Sequence, residues 1–304
     1  MSDQADGLRE LVRARSGTTA LAEPLEPPPR PAAPAKARSL VFTSGKGGVG
    51  TSNLALNLAV ALGELGQRVV LIDADLGLAN LDLLCGLSPA YDLGDVLSGD
   101  VSLADAVVDG PAGVRVLTGA HAMRTLPEVL GDGPARLAAE LAALETGADL
   151  LIVDAGSGLG PGIATLAAAA DEVVTVTTPE PTSVADAHAT IGRFRRLDGV
   201  RLRAVVNQAG SAAEAADVLA RLGASCRQFL GAVVTPMGHV LSDPHVPAAV
   251  RARRPFLLAY PHAVASRGVR RLAADLLDEC RPRARRPGFF AALVARWALS
   301  RVAR

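Results

Sequence analysis

Apolar runs of six or seven residues recur along the middle of the chain, and turns or amphipathic stretches separate them. Runs of this length that are rich in Val, Ile and Leu are typical of strands buried on both faces. They are SLVFTS from Ser39, RVVLID from Arg68, VRVLTG from Val114, DLLIVD from Asp149, EVVTVTT from Glu172 and LRAVVN from Leu202. The stretch SNLALNLAVALGELG after the first run has the period of a helix that ends near Gly66. The pattern therefore predicts an α/β fold, a doubly wound and mainly parallel sheet with helices on both faces.

The segments that flank this pattern have a different composition. Residues 2–15 predict a short helix with Ser2 or Asp3 as its N-cap, and residues 23–38 hold six of the twenty prolines, which favours an extended tether. The predicted domains are an N-terminal helix in 1–22, a linker in 23–38, the α/β domain in 39–280 and a basic, aromatic tail in 281–304.

Composition and charge exclude several classes of protein. The net charge is zero, and seven arginines lie in residues 281–304, so the body is acidic and lacks the overall positive charge of a nucleic-acid-binding domain. The three cysteines form no C-x-x-C pair, which argues against a zinc or cluster site and fits a reducing compartment. Without a signal peptide or a membrane-spanning run, we expect a soluble protein that at most attaches to a membrane surface.

The loop after the first predicted strand carries the clearest chemical signal. It reads SGKGGVGTSN from Ser44 and fits the phosphate-binding pattern G-x-x-x-x-G-K-[ST] except that Thr51 replaces the lysine. Backbone N–H groups of such a loop, and of the helix that follows it, bind phosphate, while a hydroxyl such as that of Ser52 binds Mg²⁺. The predicted nucleotide-binding residues of the loop are Gly45, Gly47, Gly48, Val49, Gly50, Thr51 and Ser52. The chain has only two lysines, Lys36 and Lys46, so a lysine inside this loop indicates a function.

Three carboxylates follow predicted strands at the edge where such a loop lies. Asp73 and Asp75 come after the second run, and Asp154 ends the fourth run in the manner of a Walker B motif. The carboxyl ends of parallel strands meet at one edge of a sheet, where carboxylates hold a metal ion or orient water. Single aspartates often cap strand ends, but three beside a phosphate loop favour a site.

These motifs resemble the deviant Walker ATPases of the MinD/ParA class. The similarity rests on GKGGVG, DADLGLANLD and D-x-G-x-G, and within the class it is closest to the FlhG family, also called YlxH or FleN, which regulates flagellar number and placement. TTPEPTSVADAHA from Thr177, VVNQA from Val205 and RRPFLLAYPHAVAS from Arg253 agree with it. The most specific element is DQADGLR, which matches the DQAxxLR element with which these proteins stimulate the GTPase FlhF.

The resemblance implies a dimer that holds ATP and Mg²⁺ between its subunits. Lys46 would reach the partner's phosphates, Asp75 would orient the hydrolytic water, and Ser52, Asp73 and Asp154 would hold or support the metal. Gly158 would contact the nucleotide through its backbone, and Asn207 would meet the adenine base. The partner-binding residues for the GTPase would be Asp3, Gln4, Ala5, Leu8 and Arg9.

Thr51 and the tail leave alternatives open. Loss of the usual lysine predicts slow hydrolysis, or else a binding adaptor that does not hydrolyse ATP, unless Lys46 covers both roles. In the tail, one side of a predicted helix carries Phe289, Phe290, Leu293, Val294 and Trp297, which favours a membrane-targeting helix, and a helix docked on the protein itself is the alternative.

The leading interpretation is a cytoplasmic ATPase switch that binds the inner face of the plasma membrane peripherally, together with flagellar basal-body or regulatory proteins. A MinD-like division-site ATPase or a ParA-like DNA-partition ATPase is the alternative. DQADGLR disfavours both, and DNA binding would need a basic body.

Overall fold

An eight-stranded sheet forms the centre of the fold. The computed structural model describes residues 36–75, 80–119, 135–158, 160–279 and 287–302, and the side chains at 97, 135–138, 161 and 297–302 also lie outside the description. The strands are β1 (Arg38–Ser44), β2 (Val69–Asp73), β3 (Val107–Asp109), β4 (Arg115–Leu117), β5 (Leu150–Ser157), β6 (Glu172–Thr177), β7 (Arg201–Ala209) and β8 (Val234–Leu241).

The order of the strands is β3-β4-β2-β5-β1-β6-β7-β8. Only the β3–β4 pair at one edge is antiparallel, and the other pairs are parallel. This confirms the predicted doubly wound, mainly parallel sheet, with all six predicted runs in place as strands. The two edge strands, β3 and β8, were not predicted from the pattern.

The helices of the described residues cover both faces of the sheet. They are α1 (Thr51–Glu64), α2 (Leu81–Cys85), α3 (Leu93–Ser98), α4 (Leu103–Ala106), α5 (Ala135–Thr146), α6 (Pro161–Ala169), α7 (Pro181–Phe194), α8 (Ala212–Ser225), α9 (His245–Arg251), α10 (Phe256–Ala259), α11 (Val264–Asp278) and α12 (Phe289–Val302). A short 3₁₀ turn, Pro111–Gly113, precedes β4, and a π-helical turn, Cys226–Leu230, follows α8.

Alternate residues of β1 enter two separate cores. Leu40 and Phe42 pack with α1 and α11 on one face, and Val41 lies in the core that includes residues of α5, α6, α7 and α12 on the other. This alternation follows from the two-residue period of a strand. Because helices cover both faces, all of β1 after Arg38 is buried, which explains its continuous apolar sequence.

A buried ion network lies at the amino ends of the central strands. Arg203 in β7, whose side chain is 3% exposed, bonds Glu172 of β6 at 3.2 Å and Glu279 after α11 at 2.7 Å. Arg38 of β1 bonds the same two glutamates. Each buried charge is therefore paired, as burial requires, and the network secures the end of the sheet opposite the phosphate loop.

Candidate functional site

The phosphate loop lies between β1 and α1, at the carboxyl edge of the sheet. Gly48 and Gly50 have φ angles of 82° and 87°, in the left-handed region that favours glycine. Gly50 is the N-cap of α1, and no side chain of the described residues bonds to that cap. The first backbone N–H groups of α1 therefore remain open to an anion, which the helix dipole also favours.

Neighbouring elements approach this loop so closely that side chains are excluded at two glycines. A Cβ atom at Gly45 would collide with the backbone carbonyl of Asp186 in α7, and one at Gly50 would lie 2.5 Å from Nδ2 of Asn207. Asn207 Nδ2 donates to the Val49 carbonyl oxygen at 2.8 Å. The amide of Asn207 thus braces the loop from β7, and its predicted contact with adenine stays a prediction.

The hydroxyl group of Thr51 points into the protein. Its side chain is buried, and Oγ1 donates to Ser44 Oγ at 3.0 Å. Ser44 Oγ in turn donates to the carbonyl oxygen of Lys46 at 3.0 Å. The residue in the position of the usual lysine is therefore used to hold the loop together.

Lys46 occupies an exposed position at the rim of the loop. Its Nζ atom lies 2.6 Å from Glu180 Oε2 and 3.2 Å from Thr182 Oγ1, and its side chain is 40% exposed. Both partners follow β6, the neighbour of β1 in the sheet. The sequence did not single out Glu180 and Thr182. They could have been found, because they follow a predicted parallel strand, and the carboxyl ends of parallel strands meet at the edge of the sheet where Asp73 and Asp154 lie. An exposed ion pair of this kind is weak, so the ammonium group can exchange Glu180 for a phosphate.

Asp154 has the chemistry of a metal ligand. It is fully buried, Oδ1 accepts a hydrogen bond from Gly156 N at 3.0 Å, and the hydroxyl of Ser52 lies close enough to its carboxylate to oppose the rise in its pKa. Within the described residues, Oδ2 has no hydrogen-bond partner. Burial raises the pKa of Asp154 to about 7, and a bound cation would lower it again.

Asp73 lies beside Asp154 in the sheet register but performs a different task. Oδ1 accepts from the backbone N of Asp75 at 3.2 Å, and Oδ2 accepts from those of Asn80 and Leu81 at 3.1 Å each. Burial raises its pKa to about 6. Because its two oxygens hold the backbone of Asp75 and of the start of α2, Asp73 supports the site through the backbone, and its direct contact with a metal ion stays a prediction.

Asp75 meets the loop that follows β5. Gly156 has a φ of 65°, and a Cβ atom there would collide with the Asp75 carboxylate. Two residues further on, the backbone N of Gly158 donates to the Ser44 carbonyl oxygen at 2.8 Å. The D-x-G-x-G motif therefore brings Asp75, Asp154 and the phosphate loop close together, and the predicted roles of these residues stay predictions. Gly156 is a contributor that the sequence did not single out.

The donor set fits Mg²⁺ bound together with nucleotide phosphates. Among the described residues, no group of three or more His, Cys, Asp or Glu side chains is arranged to hold a metal ion. A phosphate-loop site does not need one, because Mg²⁺ takes one or two protein oxygens and completes its shell with phosphate and water. The Ser52 hydroxyl and the unpartnered Oδ2 of Asp154 supply those oxygens.

Asp154→Asn is expected to weaken the Mg²⁺-dependent part of nucleotide binding about tenfold, because it removes the negative charge beside Ser52. Calorimetric titration of ATP in Mg²⁺ and in EDTA measures this difference. Asp149→Asn, just before the opposite end of the same strand, is the matched control and should bind nucleotide as wild type does. Full Mg²⁺ dependence in Asp154→Asn would contradict the assignment.

The predicted membrane residues lie against the protein in this structure. Phe289, Phe290 and Leu293 of α12 are at most 3% exposed and belong to the core on the α5–α6 face, while the side chain of Trp297 lies outside the description. The docked alternative is thus the conformation observed, and membrane contact by these residues requires α12 to leave its place.

No helix in the described ranges is long and apolar enough to cross a membrane.

The predicted GTPase-binding element cannot be placed. Asp3, Gln4, Ala5, Leu8 and Arg9 lie outside the described residues.

Comparison with known proteins agrees with this site. Residues 40–260 match the model of the CobQ/CobB/MinD/ParA nucleotide binding domain. The chain is 38% identical over 228 residues to the antiactivator FleN of Pseudomonas aeruginosa, which covers 75% of this chain and 81% of the relative. It is 34% identical over 152 residues to the flagellum site-determining protein YlxH of Helicobacter pylori, covering 50% of this chain and 52% of the relative.

A solved structure supports the same assignment. The septum site-determining protein MinD from Pyrococcus horikoshii, complexed with Mg-ADP, superposes with a TM-score of 0.64 at 25% identity and covers 80% of this chain and 96% of its own. The chain therefore belongs to the MinD/ParA family of nucleotide-binding proteins, in the group of the flagellar regulators FlhG, FleN and YlxH.

Proposed function

We propose that this chain is an ATP-dependent switch that dimerises, binds the membrane and regulates the number or placement of flagella. The observation that carries the proposal is the combination of a phosphate loop bearing Lys46 with Asp75 and Asp154 beside it, in a chain related to FleN and YlxH. Backbone amides at the start of α1 receive the phosphates, and the switch responds to whether a third phosphate is present.

The two ATP-bound subunits meet at the edge of the sheet that carries the phosphate loop. Lys46 supports this geometry because its side chain is 40% exposed and its ammonium group, among the described residues, is held by Glu180 and Thr182 at the same rim. On dimerisation, Lys46 leaves Glu180 and neutralises the phosphates of the partner subunit. Asn207 keeps the loop in shape during this exchange through its bond to Val49.

Hydrolysis requires a positioned water and charge stabilisation. Asp75, held against Gly156, orients the water, and Ser52 and Asp154 hold Mg²⁺, which when bound neutralises phosphate charge. Thr51 has a neutral side chain and supplies no positive charge in its own subunit, and its hydroxyl group donates a hydrogen bond to Ser44. Turnover is therefore slow relative to enzymes that have the usual lysine.

Two segments carry the signal outward. The N-terminal element from Asp3 to Arg9 stimulates an FlhF-type GTPase. The protein itself is cytoplasmic, and α12 binds the inner face of the plasma membrane after it detaches from the α/β domain. The seven arginines of residues 281–304 support attachment to anionic lipid, at about 1 kcal/mol for each arginine near the surface. Flagellar basal-body or regulatory proteins are the downstream partners.

A second candidate function follows from Thr51. If the charge of the missing lysine is essential for hydrolysis, the chain is a nucleotide-binding adaptor that keeps the same partners without turnover. The bond from Thr51 to Ser44 favours this alternative, because it shows that the position is built into the loop.

Purified full-length protein tests the proposal in two measurements. We expect calorimetric titration to show MgATP binding at millimolar concentration or below, and co-sedimentation with vesicles of phosphatidylglycerol and phosphatidylcholine to rise when MgATP is added. A variant that lacks residues 287–304 is the control and should keep nucleotide binding while losing vesicle binding. Absence of MgATP binding would overturn the switch, and equal vesicle binding by the truncated variant would overturn the membrane role of α12.

A further inference from the structure

A buried carboxylate from α5 caps the first turn of α12. Glu145 Oε1 accepts from the backbone N of Phe289 at 2.7 Å, and Oε2 accepts from that of Phe290 at 3.4 Å. Glu145 is only 4% exposed. The first N–H groups of a helix lack partners within the helix, so one side chain of α5 satisfies two of them at once.

The position of Glu145 is unfavourable for its own helix. It lies in the last turn of α5, next to Thr146, where the helix dipole disfavours a negative charge. Burial raises its pKa, which the hydrogen bonds from Phe289 and Phe290 oppose. Burying a carboxylate at this point is costly unless the N-terminus of α12 faces it.

The residue before α12 is Gly288, and the Glu145 carboxylate occupies the space that a side chain at this position would need. A Cβ atom at Gly288 would lie 2.7 Å from each Glu145 oxygen and 2.9 Å from the carboxyl carbon, closer than such atoms approach in proteins. These three are the nearest atoms to that position, so the Glu145 carboxylate is the first group that a side chain at position 288 would meet. A glycine here lets the carboxylate reach the backbone of α12.

The helix that this contact holds also packs on α6, which begins just after the loop that follows Asp154. Phe289, Phe290 and Leu293 share one core with Leu141 of α5 and Ile163 of α6. The N-cap of α6 is Gly160, two residues after Gly158, whose backbone bonds the end of β1. A change in the loop after Asp154 can therefore reach the surface on which α12 rests.

We infer that Glu145 and Gly288 form a latch that keeps α12 on the body, and that opening this latch releases Phe289, Phe290 and Leu293 as an apolar surface. The latch is the Glu145 carboxylate with the backbone N–H groups of Phe289 and Phe290 and the side-chain-free position 288. Glu145 acts as a positioning residue and not on the nucleotide. The inference deepens the proposed function and rests on it only for the membrane that receives α12.

A double-mutant cycle measured by hydrogen exchange in the nucleotide-free full chain tests the latch. Glu145→Ala and Gly288→Ala should each accelerate amide exchange in residues 289–296 by about tenfold or more, since each removes or displaces a charge-assisted cap. Exchange in α1 should be unchanged, and Thr146→Ala is the matched control, because that exposed hydroxyl group bonds Ala142 within α5.

The double variant distinguishes a latch from general destabilisation. Once Glu145 is alanine, a methyl group at position 288 no longer meets the carboxylate, so Gly288→Ala should add less than about twofold. An equal effect of Gly288→Ala in both backgrounds, or unchanged exchange in Glu145→Ala, would overturn the latch.

Vesicle binding separates the latch from the proposed membrane role. With phosphatidylglycerol and phosphatidylcholine vesicles and no nucleotide, Glu145→Ala should bind several-fold more than wild type, and deleting residues 287–304 should abolish the gain. Faster exchange without a gain in vesicle binding would support the latch and overturn the membrane role of α12. Slow exchange together with MgATP-dependent vesicle binding would support that role and overturn the latch.

Discussion

Lys46→Ala is expected to reduce ATP hydrolysis by roughly two to three orders of magnitude, the usual effect of removing one group that stabilises transition-state charge. Because Thr51 replaces the other lysine of the motif, Lys46 is the only side-chain ammonium group in the phosphate loop. Its side chain is 40% exposed and its ion pair with Glu180 lies at the surface, so the free energy of unfolding should change little. Phosphate release under saturating MgATP measures the effect.

Two further variants isolate the role of the charge. Lys36→Ala removes the other lysine, which lies before β1 at the opposite end of that strand, and should keep wild-type turnover. Glu180→Gln retains Lys46 and removes the carboxylate that competes with phosphate, so it should tighten MgATP binding by a few-fold. Wild-type turnover in Lys46→Ala would show that another group carries the charge.

Most of the sheet could be predicted because burial on both faces leaves a simple signature. A strand such as β1 lies between two cores and therefore has an almost continuous apolar sequence. The strands that escaped prediction lie at the edges, where this requirement is relaxed. β8 reads VTPMGHVL, with Pro236 and Gly238 inside it, and β3 has only three residues. Both are specified by pairing with a neighbour, which local sequence does not reveal.

The site could be predicted where the order of the elements along the chain is enough, because the carboxyl ends of parallel strands lie at the same edge of the sheet. Asp73, Asp75, Asp154 and the loop glycines follow directly from strand–loop–helix order. The contacts of Asn207 and Glu180 were not, because they join residues more than 130 positions apart. Spacing along the sequence identifies candidate residues, but it does not say which atom a particular amide or carboxylate will meet.

The tail illustrates the same limit on a larger scale. The apolar side of α12 suits a lipid surface and a protein core equally well, since both accept Phe289, Phe290 and Leu293. Glu145 favours the protein core over the lipid surface in this structure, because its carboxylate accepts a hydrogen bond from the first backbone N–H group of α12. Glu145 is distant from α12 in the sequence. A helix held by a hydrogen-bonded cap at one end and apolar contacts along one side can be released as a unit.

Thr51→Lys is expected to raise ATP hydrolysis by about tenfold to a hundredfold, because it restores an ammonium group at the first residue of α1. The new side chain must turn from the buried position of Thr51 toward the phosphates. Ser44 Oγ loses the hydrogen bond from Thr51, which should lower the free energy of unfolding by about 1 kcal/mol. Phosphate release and thermal unfolding measure the two effects separately.

Thr51→Ser is the matched control, because it keeps a hydroxyl group that can donate to Ser44 and adds no charge. It should hydrolyse ATP at the wild-type rate. If wild type hydrolyses ATP slowly and Thr51→Lys is faster, the natural threonine sets the rate of a working switch. If only Thr51→Lys is active, the natural chain is the adaptor, and binding rather than turnover of ATP controls its partners. Equal rates in wild type and Thr51→Lys, together with loss of activity in Lys46→Ala, would mean that Lys46 already supplies the charge that the missing lysine provides in related proteins.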